Sequence, residues 1–119
     1  MSFGNLNTMS HWFKGSLHTH TSGAGSTGDA SPESVARWYR RHDYDFLSIT
    51  DHDVLTAVDD GPSNGLLELP LLIPGEEISA RIKNGAIKIH VNGIGISATI
   101  DPIDSRTGGL DEVVPTLQA

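Results

Sequence analysis

Short apolar runs separated by polar, glycine-rich stretches set the pattern of this chain. Residues 12–17 (Trp-Phe-Lys-Gly-Ser-Leu) read as a first strand that ends at His18. Residues 21–30 are rich in Gly, Ser and Thr and read as a loop. A helix start follows. Ser31 is a good N-cap, Pro32 suits the first helical position, and Glu33 favours the positive end of the helix dipole. Val35, Trp38, Tyr39 and His42 then recur at a spacing of three to four, which makes one helical face. Residues 43–45 are the exit. Residues 46–50 (Phe-Leu-Ser-Ile-Thr) form a mostly apolar run, as expected of a buried parallel strand.

Further along, residues 59–65 are a turn-rich connection, and residues 66–69 resemble a remnant of a helix. Residues 71–73 predict a third strand, stopped by Pro74-Gly75. Asn84-Gly85 is a hairpin signal that joins residues 78–83 to residues 86–91. In the second arm Ile87, Ile89 and Val91 alternate with Lys88 and His90, so His90 is expected to face away from the isoleucines. Residues 99–109 read as loop, and Asp111-Glu112-Val113-Val114 as the start of a helix with acids in its first turn. The expected division is a flexible leader over residues 1–11 and one domain over residues 12–119.

The ends of these runs carry the chemistry. His18 and His20 follow the first run, Asp51, His52 and Asp53 the second, and Glu76 and Glu77 come after Pro74-Gly75. If the runs are strands of one parallel sheet, their ends converge on one rim, where His, Asp and Glu are the ingredients of a metal site. His18 and His20 are two apart, so an extended backbone projects both from one face. They are either metal ligands or two polar residues at a strand end. One of Asp51 and His52 can ligate while the other orients it, whereas Asp51 or Asp53 can equally cap the next segment. A carboxylate after Pro-Gly can bridge two metals, and one of Glu76 and Glu77 is expected to be a solvated acid. His90, taken alone, reads as a satisfied structural histidine. His11 and His42 fit no constellation, and His42 suits the end of a helix. Asp29 lies where it can swing toward a metal or simply form a turn. Gly23, Gly25 and Gly28 do not make a dinucleotide-binding fingerprint.

Composition narrows the classes. The chain has 119 residues and a formal net charge of -7, which argues against sequence-independent nucleic-acid binding. A phosphorylated substrate stays compatible, because bound divalent cations reverse the local field. The chain has no cysteine, so a metal must be held by nitrogen and oxygen. No apolar run approaches the ~18 residues of a membrane span, and the first residues lack the pattern of a signal peptide. The reading is a soluble, cytoplasmic protein.

In order, Leu17-His18-Thr19-His20, Thr50-Asp51-His52, Pro74-Gly75-Glu76-Glu77 and His90-Val91-Asn92-Gly93 resemble the motifs of the PHP (polymerase and histidinol phosphatase) domain family. The Ser31-Pro32-Glu33 helix start and the Tyr44-Asp45-Phe46-Leu47-Ser48-Ile49 strand match as well, so the resemblance covers residues 13–100 or so. It implies an α/β fold, the N-terminal part of an irregular (β/α)7 TIM-like barrel. It implies two or three divalent cations (Zn, Mn, Fe or Mg) at the rim and hydrolysis of a phosphate ester by a metal-activated water. By resemblance His18, His20, His52, Glu77 and His90 are metal ligands, with Glu77 bridging, and Asp51, His52 and Glu77 are the catalytic group. Asp51 is alternatively a support behind the ligands. The family's loop aspartate falls at Thr27 here, and Asp29 is the candidate substitute. No His follows His90, so the chain is expected to be the first half of such a domain. The implied partner is a phosphorylated small molecule or a nucleotide, with self-association expected of an open barrel edge. The alternative is a catalytically incomplete metal-binding fragment or assembly module.

Overall fold

The computed structural model describes residues 10–23, 27–59 and 69–104. The expected leader up to residue 9, the helix remnant at residues 66–68 and the helix start at residue 111 lie outside them. The order of elements is β1 (Gly15–Ser16), α1 (Pro32–Arg41), β2 (Phe46–Leu47), β3 (Leu71–Leu72), β4 (Gly75–Ile82), β5 (Ile87–Ile94) and β6 (Ile103–Asp104). The strands form two sheets. One is parallel, in the order β1-β2-β3, and the other has the order β5-β4-β6.

Helix α1 forms for the reasons its sequence suggests. The Ser31 side chain accepts a hydrogen bond from the Ser34 N–H at 3.2 Å, satisfying one of the free donors of the first turn. Pro32 opens the helix, and Arg40 and Arg41 sit in the last turn, where cations are favoured. The Glu33 carboxylate also accepts from the Asp59 N–H at 3.3 Å. Backbone hydrogen bonds, first its own and then that of Asp59, hold its pKa below the usual carboxylate value.

The parallel sheet is longer in its hydrogen bonds than in its regular strands. Beyond β1 and β2, Ser48 N–H donates to Ser16 O at 2.8 Å and Thr50 N–H to Thr19 O at 2.8 Å. One side advances from Ser16 to Thr19 while the other advances only from Ser48 to Thr50. The extra residue is a bulge at Leu17-His18, a device that re-aims side chains. On the other flank Phe46 lies opposite Leu71, and His52 lies opposite Glu77 in an isolated parallel bridge of the same register. The segment of β3 and β4 therefore runs along that of β2 as one line.

At Pro74-Gly75 this segment gains a second partner on its other flank. Gly75 pairs with Ile94, and Gly95 N–H donates to Pro74 O at 2.7 Å. A Cβ on Gly75 would meet the Ser48 Oγ, so this crossing requires glycine. β4 and β5 are antiparallel, closed by a turn in which Asn84 and Gly85 both have positive φ, as a hairpin turn of this kind demands.

Three expectations change. The first strand is confined to Gly15–Ser16, and Trp12 and Phe13 are 89% and 66% exposed, with no strand partner among the described residues. The hairpin starts at Gly75 rather than at residue 78, so Glu77 lies in its first arm while still bridged to His52 in parallel register, and His90 lies in the second arm as the Asn84-Gly85 signal predicts. Residues 103–104 form β6, parallel to β4, inside a stretch expected to be loop. Pairing with an already formed edge makes a strand there, which no local signal announces.

Two small cores stabilise the sheets. Ala36, Leu47 and Ile49 pack with Val35, Tyr39, Val58, Leu69 and Leu72, and Ala80 and Ile82 pack with Ile89 and Ile103. No helix among the described residues is long and apolar enough to cross a membrane. Leu47 is fully buried on the central strand. Its replacement by Ala is expected to cost about 2–5 kcal/mol in urea unfolding, the range for a cavity in a packed core.

Candidate metal centre

The bulge before His18 leaves residues 18–21 alternating between two faces. Thr19 and Thr21 turn inward and are buried, while His18 and His20 project together on the opposite side. His52 lies beside Glu77 through the parallel bridge. On the hairpin, Ser79 is opposite His90, so Glu77 and His90 share a face as diagonal neighbours. The other face of β4 carries Ile78, Ala80 and Ile82 into the interior. His90 does face away from the isoleucines, toward Glu77.

Glu77 is the point on which these elements converge. Its Oε2 lies 2.7 Å from His20 Nε2, 3.3 Å from His18 Nε2 and 3.6 Å from His52 Nδ1. Its Oε1 lies 3.0 Å from His90 Nδ1. The two Nε2 atoms of His18 and His20 are 3.1 Å apart. The rings follow one another around the carboxylate, with centroids 5.1 Å apart for His18 and His20 and 4.8 Å for both His20–His52 and His52–His90. Two groups of potential ligands result, His18–His20–Glu77 and His52–Glu77–His90. Burial pushes the Glu77 pKa up, but the hydrogen bond from His18 and the imidazoles of His52, His18 and His20 outweigh it and hold the carboxylate below its usual value.

Asp51 stands behind this group rather than in it. It is fully buried. Its Oδ1 accepts from Thr21 N–H at 2.7 Å, and its Oδ2 accepts from the hydroxyls of Thr21 at 2.6 Å and Thr56 at 2.5 Å. Its Oδ1 lies 3.9 Å from His20 Nδ1. Such a carboxylate is placed to orient its neighbours from behind. Thr21 and Thr56, which hold Asp51, were not singled out by sequence reasoning. For Thr21 the signal was the alternation with His20, which turns it inward.

Of the expected site residues, His18, His20, His52, Glu77 and His90 are brought together. Asp29 is exposed and belongs to neither group, although it lines a cleft beside His20. Neither Glu76 nor Glu77 is a solvated acid, since both are buried. Glu76 points to the other face, where its Oε1 accepts from Ile100 N–H at 2.9 Å. Burial raises its pKa, and the nearby charges of Asp53 and Asp101 add to that, against the lowering effect of the Ile100 bond. Asp53 receives the Ser79 N–H at 2.6 Å, which ties the segment after His52 to β4.

No family model matches the chain, and no curated protein or solved structure matches it either.

The role of Asp51 has a direct test. Asp51→Asn keeps the shape but replaces one charged acceptor oxygen by a donor facing threonine hydrogens. It is expected to cost about 1–3 kcal/mol in chemical unfolding.

Proposed function

We propose that the chain is a metal-dependent phosphoesterase of the PHP type, which hydrolyses a phosphate ester through a water activated by divalent cations. The observation that carries this reading is the shared carboxylate. Glu77 offers one oxygen to the His18–His20 side and the other to His90, closing two histidine groups at once. A carboxylate placed between two sets of imidazoles is suited to bridging a pair of cations.

The donor set fits such cations. Ligands bonded at about 2.0–2.1 Å in a tetrahedron lie about 3.3 Å from one another. The distances among His18, His20 and Glu77 run from 2.7 to 3.3 Å. Imidazole with carboxylate suits Zn, Mn or Fe, and Mg where the carboxylate dominates. Each group supplies three protein donors, the number typical of catalytic rather than structural sites. The site is also open, since the His18 and His90 side chains are 52% and 46% exposed. A cation pair held there supplies a nucleophile at neutral pH and offsets the charge that builds on the phosphate.

The chain's own groups do the rest. Asp51, held by Thr21 and Thr56, fixes the inner wall behind His20. A net charge of -7 repels a phosphate, so phosphate affinity depends on the cations. The same reading makes the two sheets the first part of a PHP barrel, in a cytoplasmic protein acting on a phosphorylated small molecule or nucleotide. Among the described residues β1 and β3 are the edges of the parallel sheet, and Leu71 on β3 is exposed, which supports self-association.

Elemental analysis after gel filtration tests the site. One or more equivalents of transition metal are expected, and His18→Ala with His20→Ala is expected to abolish uptake while the far-ultraviolet circular dichroism is unchanged. Unaltered metal content in that variant sinks the assignment. Hydrolysis of phosphomonoesters is expected to vanish with a chelator and to return with Mn²⁺ or Zn²⁺. Activity indifferent to chelator removes the mechanism. Metal uptake without any turnover assigns the chain instead to the second reading, a catalytically incomplete metal-binding fragment or assembly module.

A further inference from the structure

Beside the metal centre lies a cleft that the five candidate ligands do not explain. His20 and Thr19 form one end of it, the face of α1 with Val35, Trp38 and Tyr39 forms its wall, and Arg41 lines it as well. The Trp38 indole stacks on His42, with centroids 3.8 Å apart and planes 20° apart, and is still 48% exposed. His42 Nδ1 lies 2.7 Å from the Trp38 carbonyl oxygen, so the stack is fixed at the end of the helix. Tyr39 is fixed too, because its hydroxyl accepts from the Thr19 hydroxyl at 3.2 Å, next to His20 in the chain. The Arg41 guanidinium makes no hydrogen bond or ion pair among the described residues, in a chain of net charge -7.

A half-exposed indole, held flat by its neighbour and opening into a cleft that begins at a candidate metal ligand, is a stacking surface in search of a ring. Aliphatic chains gain little from such a surface beyond area. A planar ring gains the oriented aromatic contact as well. An unpaired guanidinium in the same cleft adds a fork of donors for the polar edge of a ligand.

We infer that this cleft is the leaving-group subsite of the centre, and that it selects phosphate esters whose leaving group carries a planar aromatic ring, stacked on Trp38. The inference rests on the phosphoesterase reading, naming the substrate class for the same site. Trp38 is then a specificity-determining residue, and Tyr39 positions the helix against the site through Thr19.

The test uses non-hydrolysable probes on the Mn²⁺-loaded protein, so it does not depend on turnover. Benzylphosphonate and propylphosphonate share the phosphonate and differ in the ring. Calorimetric titration is expected to show benzylphosphonate bound about tenfold more tightly by the unaltered protein. In Trp38→Ala that preference is expected to fall to within twofold, with propylphosphonate affinity unchanged. Trp38→Phe, which keeps a ring on the helix, is expected to restore most of it, and this variant covers the case in which Trp38→Ala fails to fold. Equal affinities in the unaltered protein, or an undiminished preference in Trp38→Ala, overturn the subsite alone. Failure of both phosphonates to bind in a chelator-sensitive way overturns the subsite together with the reading beneath it.

Discussion

The structure turns on the backbone of Glu77. Its N–H donates to Asp51 O at 3.0 Å, and its carbonyl accepts from Asp53 N–H at 3.1 Å, which joins the end of the parallel sheet to the start of the hairpin. On its other flank the same residue pairs with Asn92 of β5. The residue that joins the two sheets is thus also the residue whose side chain gathers four imidazoles. Backbone pairing fixes where its Cα lies to within the tolerance of a hydrogen bond, and the side chain inherits that position. A carboxylate on a free loop would not meet two groups of candidate ligands at once.

Behind this junction the chain buries polar groups that would be costly alone. Asp51, Thr21, Thr50 and Ser48 are all buried. Asp51 is tolerated because three donors meet it, two of them hydroxyls. Thr50 exchanges bonds with the Thr19 backbone, receiving its N–H at 3.1 Å. The Asp51, Thr21 and Thr50 side chains of this inner layer are therefore polar but satisfied, whereas the buried Ser48 Oγ has no hydrogen-bond partner among the described residues. The apolar contribution comes from the two separate clusters on the far sides of the sheets. This division lets the imidazoles stand at the surface while the groups that orient them stay dry.

Much of this was legible in the sequence, and for physical reasons. The helix was written in Ser31-Pro32-Glu33, since capping and dipole preferences are local. The hairpin was written in Asn84-Gly85, because few other pairs accept two positive φ values in succession. The common face of His18 and His20 followed from the period of an extended chain. The illegible parts were those decided at a distance. Nothing local says that Trp12-Phe13 stays outside the sheet, since an apolar run reads alike whether or not a partner covers it. Nothing near Ile103 announces a strand whose only warrant is the exposed edge of β4. That Glu76 as well as Glu77 is buried follows from the second partner gained at Gly75, which leaves early β4 covered on both flanks and buried on both faces.

Gly75 shows that a position without a side chain can decide where side chains meet. It is no ligand and carries no side chain, yet a Cβ there would press on Ser48 Oγ and hold β4 off the neighbouring chain. A descendant of this sequence that lost Gly75 would retain every histidine and every carboxylate of the centre, and would hold Glu77 too far from His52 to bring them to one point. Drift at a silent position can therefore erase such a centre while leaving its signature intact, and the spacing between motifs carries as much of the chemistry as the motifs themselves.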